Sequence, residues 1–315
     1  MNNNNQLPVP VPAVKRFAGP KINKELLYPY LLIVPTLVLI IYILFIPIMN
    51  VFSLSFQDYA LLDLSKAGFV GLDNFKKILF EDKIFFGTLG VTARWVVTEV
   101  FFQLLFGLAI ALMLNCKFRG RGIARSVIFL PWAVSGVLTT MIWSLMLNQH
   151  VGLVNDLLLR FHIIEENIAW LANPKTVFNS VVVTELWRGI PFFAITLLAA
   201  LQTIPLEVYE SGKIDGCSRV KALIYITLPF IKESIVLTTL LRAIWEFNNI
   251  DLIYTITGGG PFYLTTTLPL YLMQTAIVES NYGYGSALAV VVFLILMAFT
   301  VFYLKISRFG GELDD

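Results

Sequence analysis

Apolar residues run along this chain in six blocks of about 20 residues or more, separated by short polar connections. The blocks are Leu26–Phe52, Leu89–Leu114, Ser126–Leu147, Val177–Leu201, Ser234–Thr257 and Gly285–Leu304. A helix rises 1.5 Å per residue, so a run of this length matches the ~30 Å hydrocarbon layer of a bilayer. The pattern predicts an all-α polytopic membrane protein with about six transmembrane helices. It divides into a leader (1–25), a first helix (26–53), an outer loop (54–88), a five-helix core (89–305) and a tail (306–315). Within the outer loop, "LDNFKKILFED" has room for a short helix that caps the bundle.

Composition narrows the class further. Hydrophobic residues make up 57% of the chain and charged residues 14%, with a mean hydropathy of +0.76. The connections between the blocks leave no room for a water-soluble domain of ordinary size. The first block exceeds the roughly 7–15-residue core of a signal peptide and lacks a small-residue cleavage site after it, so it is expected to stay. The leader is polar and proline-rich, and is expected to be disordered.

The net charge of +2 says little; its distribution says more. With the N-terminus inside, the inner segments carry Lys15, Arg16, Lys21, Lys24, Lys117, Arg119, Arg121, Arg125, Lys213, Arg219, Lys221, Lys232, Lys305 and Arg308. The outer ones carry only Lys66, Lys76, Lys77, Lys83, Arg160 and Lys175. Basic residues favour the cytoplasmic side, which places both termini there. Cys116 and Cys217 then face a reducing compartment, so no disulfide is expected. The basic loop Asn115–Arg125 is topogenic and lipid-contacting rather than nucleic-acid binding. His150 and His162 fall in an outer loop as ordinary solvated residues.

Several chemistries are absent from the sequence: a phosphate-binding G-x-x-x-x-G-K-[ST] loop, a G-x-S-x-G elbow, and a zinc-ligand cluster. "TITGGGP" at Thr255–Pro261 lacks a lysine and is expected to be a sharp turn at the outer surface. No cofactor or metal is assigned to the chain, and it is not expected to be an enzyme.

Between blocks four and five lies "EVYESGKIDGCSRVKALIYITLP". Pro205 suits a helix start, with Glu207 and Glu210 near its positive end. The helix is expected to break at Asp215–Gly216, where glycine tolerates positive φ. Ser218 offers a cap for a second helix through Ala222, Leu223 and Ile226, stopped at Pro229. The small residues Ser211 and Gly212 would let a partner approach the backbone. On physical grounds alone this element is either a surface connector or a docking site.

The stretch resembles the "EAA" loop of ABC-importer permease subunits. Glu210-Ser211-Gly212 stands for the triplet, Gly216 for the glycine, and Ile226, Leu228 and Pro229 for the I-x-L-P ending. Both alanines are replaced here, by serine and glycine. "WEFNNIDLIYTITGGGPFYLTTTLPLYLMQTAI" is similar to the carbohydrate-importer branch of that family. The resemblance implies a heterodimer with a second, homologous permease subunit, in a bacterial or archaeal cytoplasmic membrane. It also implies two cytoplasmic ATPase subunits, which use the ATP, and an extracytoplasmic sugar-binding protein that delivers a di- or oligosaccharide. Residues implied to dock the ATPase are Glu207, Glu210, Ser211, Gly212, Asp215, Gly216, Ile226, Leu228 and Pro229.

Charges within the blocks carry the remaining information: Arg94, Glu99, Glu185, Arg188, Arg242, Glu246 and Asp251. A charge at the bilayer centre costs about 2.5–3.5 kcal/mol on insertion scales, so these residues face the protein interior. Arg242 and Glu246 are four apart, Glu185 and Arg188 three apart, as helical ion pairs require. They either hold helices together or line a hydrated path with Trp187, Trp245, Asn248 and Asn249, a mixture suited to sugar hydroxyls and ring faces. Two other classes stay open: a secondary transporter driven by an ion gradient, which needs intramembrane acids but no docking loop, and a membrane enzyme. The second would show a nucleophile–base or paired-carboxylate set that is absent here.

Overall fold

The computed structural model describes residues 24–62, 65 and 67–307, with side chains from residue 32. The expectations for the leader and for the tail beyond Ser307 lie outside the described residues. The chain divides into two units, Met1–Asn50 and Val51–Asp315. In the first, residues 24–50 are helical throughout, as α1 (Lys24–Ile40), a π turn (Ile41–Phe45) and the beginning of α2 (Ile46–Leu54).

In the second unit β1 (Gln57–Asp58) and β2 (Gly68–Phe69) pair antiparallel, with Gln57 opposite Phe69. Then follow α3 (Asp73–Lys76), a π turn (Lys77–Glu81), α4 (Lys83–Asn115), α5 (Arg121–Ala133), α6 (Gly136–Met146), α7 (Leu153–Arg160) and α8 (Val177–Leu201). The chain continues through α9 (Leu206–Ile214), α10 (Arg219–Ala222), a π turn (Leu223–Thr227), α11 (Leu228–Phe230), α12 (Lys232–Phe247), α13 (Asp251–Thr257), α14 (Leu268–Met273) and α15 (Tyr282–Ser307).

Among the described residues four helices are long and apolar enough to cross a membrane: Leu32–Leu54, α4, α8 and α15. Two bent pairs bring the number to six if each is one span: α5 with α6, at 92°, and Arg219–Phe230 with α12, at 67°. The third apolar block is therefore two helices rather than one. Val134 and Ser135 turn extended (ψ 137° and 139°) behind Pro131, which removes a ladder hydrogen bond near the end of α5. The fifth block also breaks, at Asn248–Ile250. There the Asn248 amide turns back to the Ile244 carbonyl at 2.8 Å and competes with the helix for that acceptor.

Helix α4 begins at Lys83, ahead of the expected Leu89, because Asp82 caps it. The Asp82 carboxylate accepts from the amides of Ile84 (2.8 Å) and Phe85 (3.1 Å). Its second oxygen accepts from the hydroxyls of Tyr271 (2.7 Å) and Tyr284 (2.6 Å), tying the start of α4 to α14 and α15. Burial pushes this carboxyl up, and the hydrogen bonds from Tyr284, Tyr271 and the two amides outweigh that and hold it below the usual carboxylate range.

Helices α4 and α8 form the centre of the core. A side chain at Gly107 would overlap Phe193, so glycine sets the close approach of the two backbones. Around it pack Ala111, Leu114, Leu197 and Leu201. A second cluster joins Ile78, Phe85, Leu268, Tyr284 and Leu288, and through fully buried Ile78 it seats the helical segment expected inside "LDNFKKILFED". The "TITGGGP" turn takes left-handed conformations at Gly258 (φ 61°) and Gly259 (φ 93°), as glycine permits.

Candidate functional site

The element between α8 and α12 folds as two helices at a glycine break. Gly216 has φ 75°; its amide bonds to the Lys213 carbonyl and that of Cys217 to Gly212, the paired bonds of a Schellman stop. Ser218 caps the second helix through the Lys221 amide at 3.4 Å. One expectation needs correcting. Pro229 does not stop this helix, which runs on to Phe230. The π turn over Leu223–Thr227 places the Leu228 amide on the Leu223 carbonyl, and the wider turn accommodates the proline that follows. Pro47 follows the π turn at Ile41–Phe45 in the same way.

Gly212 lies close to the chain's own Ile226: an added Cβ would lie 2.7 Å from the Ile226 Cδ1. Tyr209 and Thr227 meet through their hydroxyls at 3.0 Å, so the two helices are fastened to each other. Between them and the end of α4 lies a groove of about 410 Å³ lined by Leu112, Cys116, Tyr209, Cys217 and Ile226. Glu207, Glu210, Ser211, Asp215, Gly216 and Pro229 are exposed, while Ile226 and Leu228 are half-buried. Leu206 (71% exposed) and Ile214 (88%) add apolar surface beside the acids.

The break after α12 opens a second site. A cavity of about 340 Å³ is lined by Ser135 ahead of α6, Gly136 and Val137 of α6, Glu185 and Arg188 of α8, Arg242, Trp245 and Glu246 of α12, and Asn248 to Leu252. Of the residues expected along a path, Glu185, Arg188, Arg242, Trp245, Glu246, Asn248, Asn249 and Asp251 meet here. Trp187 does not line it; its ring packs edge-on against Trp143 at 6.2 Å.

Behind the cavity wall lies a buried polar network. The two pairs read from spacing form: Arg242 with Glu246, and Arg188 with Glu185 at 3.5 Å. The structure adds cross-helix bonds that spacing could not show. Arg242 Nη2 reaches Glu185 Oε1 at 2.7 Å, and its Nε donates to Gln103 Oε1 at 2.6 Å. Gln103 Nε2 donates in turn to Glu99 and to Glu246, each at 3.0 Å. Asn249 Nδ2 donates to the remaining Glu246 oxygen at 3.2 Å. A side chain at Gly189 would overlap both Gln103 and Arg242, so this glycine makes the room in which α4, α8 and α12 are joined. Arg94 stands apart, stacked over the Phe178 ring at 4.0 Å.

Residues 103–308 match the family described as the binding-protein-dependent transport system inner membrane component. The chain belongs to that family. It is 34% identical over 283 residues to the trehalose/maltose transport system permease protein MalF of Thermococcus litoralis, covering 90% of this chain and 94% of that one. It is 35% identical over 278 residues to the sulfoquinovosyl glycerol transport system permease protein SmoG of Agrobacterium fabrum, covering 88% and 89%. The fold matches a crystal structure of a bacterial ABC transporter that imports alginate, with a TM-score of 0.79 at 21% identity, covering 90% of this chain and 96% of that one. That transporter is also known in complex with a periplasmic protein bound to an alginate pentasaccharide. This permease is thus a membrane subunit of an ABC transport system.

Proposed function

We propose that the chain carries a sugar across a cytoplasmic membrane as one permease subunit of an ATP-driven importer. A second permease subunit pairs with it, two ATPase subunits drive the pair, with the helix–Gly216–helix element as this chain's docking site for an ATPase, and an extracytoplasmic binding protein delivers the sugar. The observation that carries this reading is one continuous connection. The exposed element at 206–230 runs directly into α8 and α12, the helices whose residues line the polar cavity. Amides, carboxylates and the Trp245 ring are what sugar hydroxyls and ring faces need. An ion-gradient transporter would have no use for the exposed element.

The test is co-purification with the neighbouring subunits, followed by a screen of sugars for stimulated ATP hydrolysis. Replacing Asn248 and Asn249 together with leucine should abolish or narrow uptake while the complex assembles and its basal ATPase activity persists. Unaltered uptake and selectivity would remove these residues from the path.

Orientation is tested separately. With the basic residues counted above on the inside, a cysteine introduced at Lys213 should be shielded from a membrane-impermeant thiol reagent in intact cells, and one at Lys76 should react. The reverse pattern would invert the chain and withdraw the docking assignment.

A further inference from the structure

We propose that the groove between the end of α4 and the helix–Gly216–helix element is a binding site for an anionic phospholipid. This needs only that α4 and the bent pair Arg219–Phe230 with α12 cross the membrane, and it goes beyond the importer reading.

The groove, about 410 Å³, has the volume of a small-molecule site. Its wall combines two kinds of surface. Lys213 and Arg219 bring positive charge, Asn115 brings an amide, and Leu112, Leu223 and Ile226 supply an apolar floor. The side chains of Asn115, Lys213 and Arg219 have no hydrogen bond or ion pair among the described residues. The hydroxyls of Tyr209 and Thr227 are spent on each other and on the Ala222 carbonyl. No aspartate or glutamate lines the groove; Glu207, Glu210 and Asp215 of the same element lie outside its wall. Two cations and an amide therefore stand without a counter-charge, and a phosphate diester answers them.

Position selects a lipid phosphate over a soluble one. α4 ends its span at Asn115, and the span made by Arg219–Phe230 and α12 begins at Arg219. Both ends border the groove, so it lies where the hydrocarbon layer gives way to headgroups. Leu112 stands about one turn deeper than Cys116, and Ile226 lies about 10 Å along its helix from Arg219. The charges thus sit at headgroup depth and the apolar floor on the hydrocarbon side. Beyond the groove, Met113 (70% exposed) and Tyr225 (72%) continue the apolar surface on the same two segments, a bed for acyl chains. A lipid seated there braces the helix–Gly216–helix element against α4.

The chain's two cysteines, Cys116 and Cys217, both line the groove and report its occupancy. The assembled permease–ATPase complex is placed in nanodiscs of phosphatidylcholine alone or of equal parts phosphatidylcholine and phosphatidylglycerol. Alkylation of each thiol by N-ethylmaleimide is followed by peptide mapping, and retained lipid by native mass spectrometry. Lys221→Cys supplies a thiol on the same helix outside the groove, which corrects for the general effect of an anionic surface. Phosphatidylglycerol should slow alkylation of Cys116 and Cys217 and be the lipid retained. Lys213→Gln and Arg219→Gln, both at exposed positions, should each lower its retention about fivefold, and about thirtyfold together. Lys221→Gln should leave retention unchanged. Equal alkylation in the two discs, or retention without headgroup preference, overturns the proposal. So does an equal loss of retention in Lys221→Gln, which would reduce the effect to diffuse surface charge. Protection by soluble glycerol phosphate in phosphatidylcholine discs would make the ligand a free anion, and thiols already shielded in those discs would mean that a protein covers the groove; either result removes the lipid.

Discussion

Arg242→Met will destabilise the permease by about 3–5 kcal/mol, seen as a fall in the melting temperature of the solubilised protein and in the yield of assembled complex. Arg242 is the cation shared by Glu185 and Glu246, both 1% exposed. Removing it leaves two carboxylates facing each other in a medium that solvates neither, and strands the Gln103 carbonyl oxygen. The loss comes from the stranded partners more than from the bonds themselves. Replacing the acids too, as Glu185→Leu, Arg242→Met and Glu246→Leu together, should therefore recover much of the stability without recovering transport. A single substitution with an unaltered melting temperature would mean that water or another group reaches these acids.

Gly216→Val will leave the protein inserted and folded yet sever ATP hydrolysis from sugar uptake. Apart from its two chain neighbours, no atom of the described residues lies within 4 Å of the position a Cβ would take, so the side chain meets no packing obstacle there. The cost is conformational. At φ 75° a β-branched residue is strained by roughly 1–2 kcal/mol, enough to displace the stop between α9 and α10 and change the angle at which the exposed helices meet a partner. Gly216→Asn should behave nearly as wild type, because asparagine tolerates the left-handed region, and Gly216→Ala should fall between. Glu210→Lys should weaken ATPase association by reversing charge on the exposed face. The measurement is ATP hydrolysed per sugar moved in proteoliposomes; a wild-type ratio in both Gly216→Val and Glu210→Lys would reduce the element to a connector.

These two sites were legible to very different degrees. The helix–Gly216–helix element could be read almost residue by residue, because a Schellman stop and a serine cap depend only on neighbours in sequence. The pairs Arg242–Glu246 and Glu185–Arg188 were readable for the same reason. Gln103 was not. It is a single amide in an apolar block, and its partners at 242 and 246 are distant in sequence. Gly189 is equally silent, since its necessity appears only when α4 and α12 cross it. The two broken spans are less legible: Val134–Ser135 interrupts the backbone ladder inside an apolar run, and Asn248–Ile250 does so inside a polar patch that spacing also fits to an unbroken helix. The packing of Trp187 against Trp143 is likewise invisible in spacing, which does not show which way a ring turns.

The joint between α4, α8 and α12 also bears on how the protein is made. Gln103 and Arg242 are separated by 139 residues, which at translation speeds of 5–20 residues per second is an interval of roughly 7 to 28 s. During that interval α4 has left the ribosome carrying Glu99 and Gln103, and the guanidinium that will engage the amide has not been synthesised. A nascent chain stalled between α4 and α12 therefore carries an acid and an amide bonded to each other but without the guanidinium that completes the network.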